Sequence, residues 1–121
     1  MSDIYLTRLK ALRDIGFPLA EQKEAEGHLD FSCFMSECGT YGCLLGWWAT
    51  TEYARNDGWH IVGTMPYWGD DWLFAAEDYF GLGRNQPEWL GLFEADPDNT
   101  LAMRKAYLEE LIQRRSTPNT P

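Results

Sequence analysis

The most distinctive segment of the chain is CGTYGCLLGWW, which spans residues 38–48. Its second half is apolar and predicts a helix over residues 41–55. Thr40 is the expected N-cap, because a threonine hydroxyl accepts a hydrogen bond from a first-turn amide. The helix is expected to end at residues 56–58, Asn-Asp-Gly, because these residue types favour a turn. This segment places a helix in the middle of the chain, and the other elements follow on either side.

Small residues on the central helix favour close packing. Gly42 and Gly46 lie four residues apart, and Ala49 is close by, so the three share one region of the helix surface. A surface without side chains lets another helix or an aromatic ring approach closely. Trp47 and Trp48 are adjacent and point to different sides of the helix, so we expect one of them in the core and the other exposed.

On the N-terminal side, apolar residues recur at helical spacing over residues 3–15 and predict a first helix. In this prediction Gly16 ends the helix and Pro18 prevents its continuation. Residues 21–27 are polar and indicate a connector or a short helix. Residues 28–34 alternate in part between apolar and polar side chains, which is typical of a short strand or an extended segment.

On the C-terminal side, residues 59–62 are expected to form a second short strand, which can pair with residues 28–34 in one small hairpin. Residues 63–69 are expected to form a loop, because a glycine stands at each end. Three further helices are expected over residues 71–80, 87–93 and 99–113. The last of these is the clearest, since Asp98 or Asn99 can cap its start and an apolar stripe follows.

Length and composition indicate a single globular domain. The chain has 121 residues, of which 45% are hydrophobic, and this is enough for a core without metal or disulfide staples. We therefore expect a mainly α, compact single-domain fold over residues 1–115 that accommodates one small β-hairpin. Residues 116–121 are expected to be a disordered C-terminal tail.

The charge of the chain limits the partners it can bind. The formal net charge is −9 at pH 7, which argues against direct binding of nucleic acid and against an anionic membrane surface. The N-terminal residues lack an apolar signal segment, and no run approaches the roughly 18 apolar residues of a membrane span. The odd count of three cysteines argues against a secreted disulfide framework. We therefore expect a cytoplasmic protein whose partner is a protein with a basic surface.

Four potential metal ligands, His28, Cys33, Cys38 and Cys43, follow one another at intervals of five residues. Thiolates and an imidazole are ligands that zinc accepts in a tetrahedral site. The equal intervals fit the ligand pairs of structural zinc sites poorly, so we favour the interpretation as small, buried or partly buried thiols with a surface histidine. We accordingly expect neither a metal nor another cofactor.

Cys43 also permits an interpretation as a nucleophile. It lies near the start of the predicted helix, where backbone amides and the helix dipole favour a thiolate. His60 would then act as the base, and Asp70 or Asp71 would orient it. No cysteine-hydrolase signature is present, and Cys38 and Cys43 lack the C-x-x-C spacing of a redox pair. The competing class of function is therefore a thiol- or zinc-dependent protein, but we name no catalytic residue.

Acidic residues concentrate in the second half of the chain. Residues 66–98 contain eight acidic residues and one arginine, together with several large aromatic residues. An acidic surface with aromatic anchors suits an arginine-rich protein partner. The candidate partner-binding residues are Trp68, Asp70, Asp71, Trp72, Glu77, Asp78 and Trp89. The alternative interpretation is an ordinary solvated surface over an aromatic core.

Residues 38–47 resemble the hallmark of a family of small phage and bacterial proteins with a C-G-T-x-x-C-x-x-G-[WH] core. The fixed positions of this motif are Cys38, Gly39, Thr40, Cys43, Gly46 and Trp47, and we add Gly42, at a variable position, to the motif residues. The family usually has Phe-x-Met where residues 31–33 are Phe-Ser-Cys, and the resemblance covers roughly residues 28–112.

The resemblance implies a phage or mobile-element setting but no assigned activity. Combined with the acidic surface, it gives the leading hypothesis of a phage-type accessory protein in the host cytoplasm that binds a host or phage protein without catalysis. An inhibitor of the anti-defence type, which occupies a basic nucleic-acid-binding surface, is one form of this hypothesis. The alternative is a thiol- or zinc-dependent protein centred on Cys38 and Cys43.

Overall fold

The structure is a computed structural model, and it describes residues 3–31, 33–36, 39, 41–82, 91–96 and 98–116. Over these residues the chain is mainly helical with one small antiparallel hairpin, as the sequence predicts. The helices are α1 (Ile4–Ala11), α2 (Phe17–Ala25), α3 (Leu44–Thr50), α4 (Glu52–Asn56), α5 (Ala75–Phe80) and α6 (Leu101–Ser116). The strands are β1 (Trp59–Val62) and β2 (Met65–Trp68).

The N-terminal helix continues past both predicted stop signals, so the prediction that it ends at Gly16 is wrong. A π-helical turn, Leu12–Gly16, joins α1 directly to α2. Pro18 lies in the first turn of α2, directly after the π-helical turn, so the missing N–H falls where the regular helical hydrogen bonding is already interrupted. Gly16 serves packing, because a Cβ there would lie 3.2 Å from the ring of Trp48.

The central helix begins later than predicted and is interrupted. Cys43 is the N-cap of α3, and its Sγ accepts a hydrogen bond from the N–H of Gly46 at 3.5 Å. The predicted cap, Thr40, lies outside the described residues. Thr51 has an extended backbone that breaks the helix, and its hydroxyl accepts a hydrogen bond from the N–H of Ala54 to start α4.

α3 is the centre of the core, because every residue from Leu44 to Ala49 is buried. The expectation that either Trp47 or Trp48 is exposed is therefore wrong: their exposed fractions are 7% and 0%. The indole N–H of Trp47 donates to the carbonyl of His28 at 3.2 Å, so this ring is buried with its polar atom satisfied. Both tryptophan rings are buried because neighbouring parts of the chain cover α3 on the sides where these rings lie.

The hairpin has a different second strand from the one predicted. β1 pairs with β2 in the register from Trp59↔Trp68 to Val62↔Met65, so the predicted loop at residues 63–69 contains a strand. A two-residue turn that starts with Gly63, at φ +63°, closes this pairing locally. Pro66 disguises the strand in the sequence, but a two-stranded ribbon has free edges on which a missing N–H is tolerated.

The segment predicted as the partner strand, residues 28–34, does not pair with β1 over its described residues. Leu29 and Met35 each make an isolated bridge to Gly42 instead. Residues 28–34 therefore pack against the start of α3. The loop before α3 consequently lies against the glycines at the start of that helix.

α5 is shorter than the predicted helix at residues 71–80, because it begins at Ala75. It ends at Gly81, whose φ of +69° is a left-handed conformation that favours glycine. Of the predicted helix at residues 87–93, only residues 91–93 are described, and they are helical.

α6 confirms the expected C-terminal helix. The hydroxyl of Thr100 accepts a hydrogen bond from the N–H of Met103 at 3.2 Å and caps the helix, so neither predicted cap, Asp98 or Asn99, makes this contact. The helix extends through Ser116, which corrects the start of the predicted tail, and residues 117–121 lie outside the described residues.

Candidate functional site

The turn after β2 has a fixed backbone. The N–H groups of Trp68 and Asp71 donate to each other's carbonyls at 2.8 and 3.0 Å. Gly69 adopts a φ of +61°, and its N–H donates to the carbonyl of Gly58 at 3.0 Å. The N–H of Phe74 then donates to the carboxylate of Asp71 at 3.1 Å. These contacts hold the turn between the hairpin and α5.

The turn presents apolar side chains to solvent, and we refer to residues 69–73 as the acidic tip. Trp72 is 48% exposed and Leu73 is 60% exposed. Asp70 is exposed as well, whereas Asp71 is half-buried and its carboxylate is engaged with the backbone of Phe74. The acidic tip thus combines two adjacent apolar side chains with carboxylates on a rigid turn. Leu73 is not among the predicted binding residues, although a second large apolar residue beside Trp72 in a polar turn is a usable signal.

Trp68 supports the acidic tip from behind and does not extend it. Its indole N–H donates to the carbonyl of Asp57 at 2.9 Å, and its ring lies 5.1 Å from the ring of Tyr79. The guanidinium of Arg8 lies 5.2 Å from the centre of the Trp68 ring. These contacts give Trp68 a positioning role, and its predicted role as a partner-binding anchor stays a prediction.

The other predicted partner-binding residues differ in how far their side chains are exposed. Glu77 is only 8% exposed within α5, so its carboxylate is removed from the surface that the sequence suggests. Asp78 is exposed on the same helix, which follows the acidic tip. Trp89 lies outside the described residues. The structure therefore brings Asp70 and Trp72 together on one turn, with Asp78 on the next element.

A network of Arg8, Asp57 and Tyr79 underlies the acidic tip. The hydroxyl of Tyr79 donates a short hydrogen bond to Asp57 Oδ2. Arg8 donates to the carbonyl of Tyr79 at 2.9 Å, and its guanidinium lies 4.2 Å from the centre of that ring. Burial, followed by the hydrogen bond to Asp57, raises the pKa of Tyr79 above its ordinary value of 10.0. The network joins α1, the turn before β1 and α5 behind the acidic tip.

Stability is expected to fall at alkaline pH through Tyr79. Because its folded pKa is raised, its contribution is complete below about pH 10 and is lost as pH rises further. Tyr79→Phe is expected to cost about 1.5–3 kcal/mol at pH 8, since it removes a hydrogen bond to a charged acceptor. It also removes this part of the pH dependence. Urea unfolding of wild type and variant at about pH 8, 10 and 11 measures both effects.

The exposed Tyr41 provides the matched control for this experiment, because Tyr41→Phe is expected to leave stability and its pH dependence unchanged. The interpretation of the network is wrong if Tyr79→Phe loses stability between pH 8 and 11 as steeply as wild type does.

The geometry opposes a nucleophilic role for Cys43. The thiol is buried, and its Sγ accepts a hydrogen bond from the backbone of α3. Burial raises the pKa of Cys43 to about 11, so the thiol is protonated at neutral pH and the helix start does not activate it. The proposed base, His60, is an exposed residue of β1.

The structure describes three of the four predicted zinc ligands. His28 and Cys33 are half-buried, Cys43 is buried, and Cys38 lies outside the described residues. Burial, with the nearby Asp30, raises the pKa of the Cys33 thiol and so disfavours the thiolate that zinc requires. Within the described ranges there is no group of three or more His, Cys, Asp and Glu side chains placed to hold a metal ion.

Two glycines of the motif, Gly42 and Gly46, make room for a neighbouring backbone. A Cβ on Gly46 would overlap the carbonyl oxygen of Phe34 and lie 2.7 Å from its carbonyl carbon. A Cβ on Gly42 would lie 2.8 Å from the same oxygen. The glycines therefore admit a loop backbone, where the sequence analysis expected a helix or an aromatic ring. Gly39, at φ +73°, serves the turn of the same loop.

Comparisons with known proteins leave the family open. No protein-family model, no curated protein and no solved structure matches the chain. The resemblance to small phage and bacterial proteins therefore stays a prediction. Among the described helices, none has the length and apolar character needed to cross a membrane.

Proposed function

We propose that this protein is a non-catalytic binding protein that docks on a basic protein surface through its acidic tip. The observation that carries the proposal is the exposure of Trp72 and Leu73, 48% and 60%, on a turn whose backbone is held by hydrogen bonds. Most of the affinity of a protein interface comes from a few large side chains that become buried. A turn that is already ordered loses little conformational entropy on binding.

Charge supports the choice of a basic partner. The chain has a net charge of −9, and exposed Asp70 and Asp78 flank the apolar pair in sequence. Arginine side chains bind carboxylates in bidentate geometry and stack on the faces of tryptophan rings. An arginine-rich surface therefore offers matching groups to both components of the acidic tip, and long-range attraction accelerates the encounter.

Surfaces that bind nucleic acid have this basic character, because they neutralise phosphates with Lys and Arg. Within the proposal, the protein is a phage-type accessory protein in the host cytoplasm that inhibits its partner by covering such a surface. The resemblance of residues 38–47 to phage and bacterial proteins supports the setting, and the acidic tip supports the mode of binding. An inhibitor of this type competes with nucleic acid for the partner.

The double variant Trp72→Ser, Leu73→Ser is expected to lose at least tenfold in affinity for the partner while it melts at the wild-type temperature. Both side chains are exposed and their removal leaves the core intact, so the loss comes from the missing anchors. Affinity capture from host lysate with wild type and variant side by side identifies proteins that depend on the acidic tip. Titration of the purified partner then measures the loss.

Val62→Ser is the matched control, because Val62 is an exposed apolar residue of β1 outside the acidic tip, with an exposed fraction of 50%. It is expected to retain the partner. The proposal fails if the double variant and Val62→Ser capture the same proteins with the same yield. It also fails if the tip-dependent partner lacks a basic surface or binds nucleic acid and this protein at the same time.

A further inference from the structure

A concave feature separate from the acidic tip lies between the α3–α4 corner and the hairpin. This cleft has a volume of about 290 Å³. The residues that line it are Ala49, Thr50, Arg55, His60 and Ile61. Its volume approaches the lower end of the range typical of small-molecule sites, about 300 Å³. The lining combines Ala49 and Ile61 with an arginine and a histidine, in a chain whose net charge is −9.

Among the described arginines, Arg55 is the one whose guanidinium remains available to bind a ligand. In the described part of the chain, its guanidinium makes neither an ion pair nor a hydrogen bond with another side chain or carbonyl. The other described arginines do make such contacts, and they are Arg8, Arg13, Arg104, Arg114 and Arg115. An arginine fork without an internal acceptor, at the edge of a cleft, is a group that can bind a ligand.

His60 is held in a defined orientation beside Arg55. Its Nδ1 lies 3.3 Å from the carbonyl oxygen of Gly58, so a hydrogen on Nδ1 donates to that carbonyl. Its ring lies 5.6 Å from the ring of Tyr67, which packs against it. Nε2 is therefore the nitrogen left to a ligand, and it donates to a carboxylate only when it carries a hydrogen as well. The hydroxyl of Thr50 donates to the carbonyl of Trp47 at 2.7 Å and does not supply a further donor.

We propose that this cleft binds a small carboxylate with an apolar body, in addition to the docking function of the acidic tip. The carboxylate pairs with the guanidinium of Arg55, with the imidazole of His60 next to it. The hydrocarbon part of the ligand lies against Ile61, which is half-buried at the side of the cleft. A planar, bidentate acceptor matches the arginine fork, and the apolar lining favours a ligand with a hydrocarbon part over inorganic phosphate.

The test uses the full chain labelled with ¹⁵N, and benzoate, benzamide and inorganic phosphate as the probes. Benzoate is expected to cause saturable amide shifts at Ala49, His60 and Ile61. Benzamide has the same ring without the charge and is expected to bind at least tenfold more weakly. Phosphate has charge without an apolar part and is expected to bind more weakly than benzoate.

Arg55→Gln is expected to weaken benzoate binding at least tenfold without a change in melting temperature, because the side chain is exposed. Arg114→Gln, on the exposed surface of α6, is the matched control and is expected to bind benzoate as wild type does. The proposal is overturned if benzoate gives no saturable shifts, if benzamide or phosphate binds as tightly as benzoate, or if Arg55→Gln retains wild-type affinity.

Discussion

Gly46→Ala is expected to destabilise the protein by about 3 kcal/mol, the upper end of the usual cost of overpacking. The new Cβ would overlap the carbonyl oxygen of Phe34. That carbonyl belongs to a backbone that cannot move freely, since the N–H of Cys43 donates to the carbonyls of both Cys33 and Phe34 at 3.0 and 3.2 Å. Relief of the overlap therefore separates the loop from α3, the most buried helix. Urea unfolding followed by tryptophan fluorescence measures the loss.

Gly27→Ala is the matched control for this substitution. Gly27 has a φ of +78°, and a Cβ at this position would meet no atom within 4 Å, so the variant reports the backbone cost of losing a glycine without any overlap. That cost is about 1–2 kcal/mol. A Gly46→Ala protein that is no less stable than Gly27→Ala would contradict the close approach of the loop.

Arg104→Met is expected to cost about 3–5 kcal/mol, because it leaves one buried and two partly buried carbonyls without their donors. Arg104 is 1% exposed on α6, and its guanidinium lies 3.7 Å from the centre of the Phe31 ring. It donates to three backbone carbonyls at 2.8–3.0 Å, and these belong to Leu92, Asp96 and Asn99. Methionine fills much of the space but donates to none of them, so the segment around residues 92–99 loses its attachment to α6.

Two further variants separate hydrogen bonding from charge and from helix propensity. Arg104→Lys keeps the charge and some donors, and it is expected to lose less stability than Arg104→Met. Arg114→Met, on the exposed surface of α6, removes only a surface ion pair with Glu110 and is expected to cost less than about 1 kcal/mol. If Arg104→Met unfolds within about 1 kcal/mol of wild type, Arg104 does not hold this segment.

Periodicity in the sequence predicts the mainly helical fold and locates α6 well, because a long apolar stripe depends on local spacing. It fails at the end of the first helix and at the loop predicted over residues 63–69. Gly16 and Pro18 do not end the helix, because a π-helical turn carries the chain from α1 into α2. The glycines at residues 63 and 69 flank β2, and Pro66 is tolerated within it because a two-stranded ribbon has free edges.

Part of the candidate site could also be predicted from residue types. Asp70 and Trp72 do lie together on an exposed turn, whereas Trp68 and Glu77 are withdrawn from it. The sequence alone does not show which of these residues are exposed and which are withdrawn. Their burial depends on contacts with distant residues such as Arg8 on α1. The same holds for Arg104, a charged residue whose burial follows from carbonyls that the tertiary fold assembles.

The role of the acidic tip is tested most directly by the rate constants for binding of the tip-dependent partner at low and high salt. Asp70→Asn is expected to slow association and to flatten its salt dependence, since exposed charges act over about 8 Å at physiological ionic strength. Trp72→Ser is expected to raise the dissociation rate at least tenfold and to leave association nearly unchanged. Association that is independent of salt, together with a wild-type dissociation rate for Trp72→Ser, would contradict docking through the acidic tip.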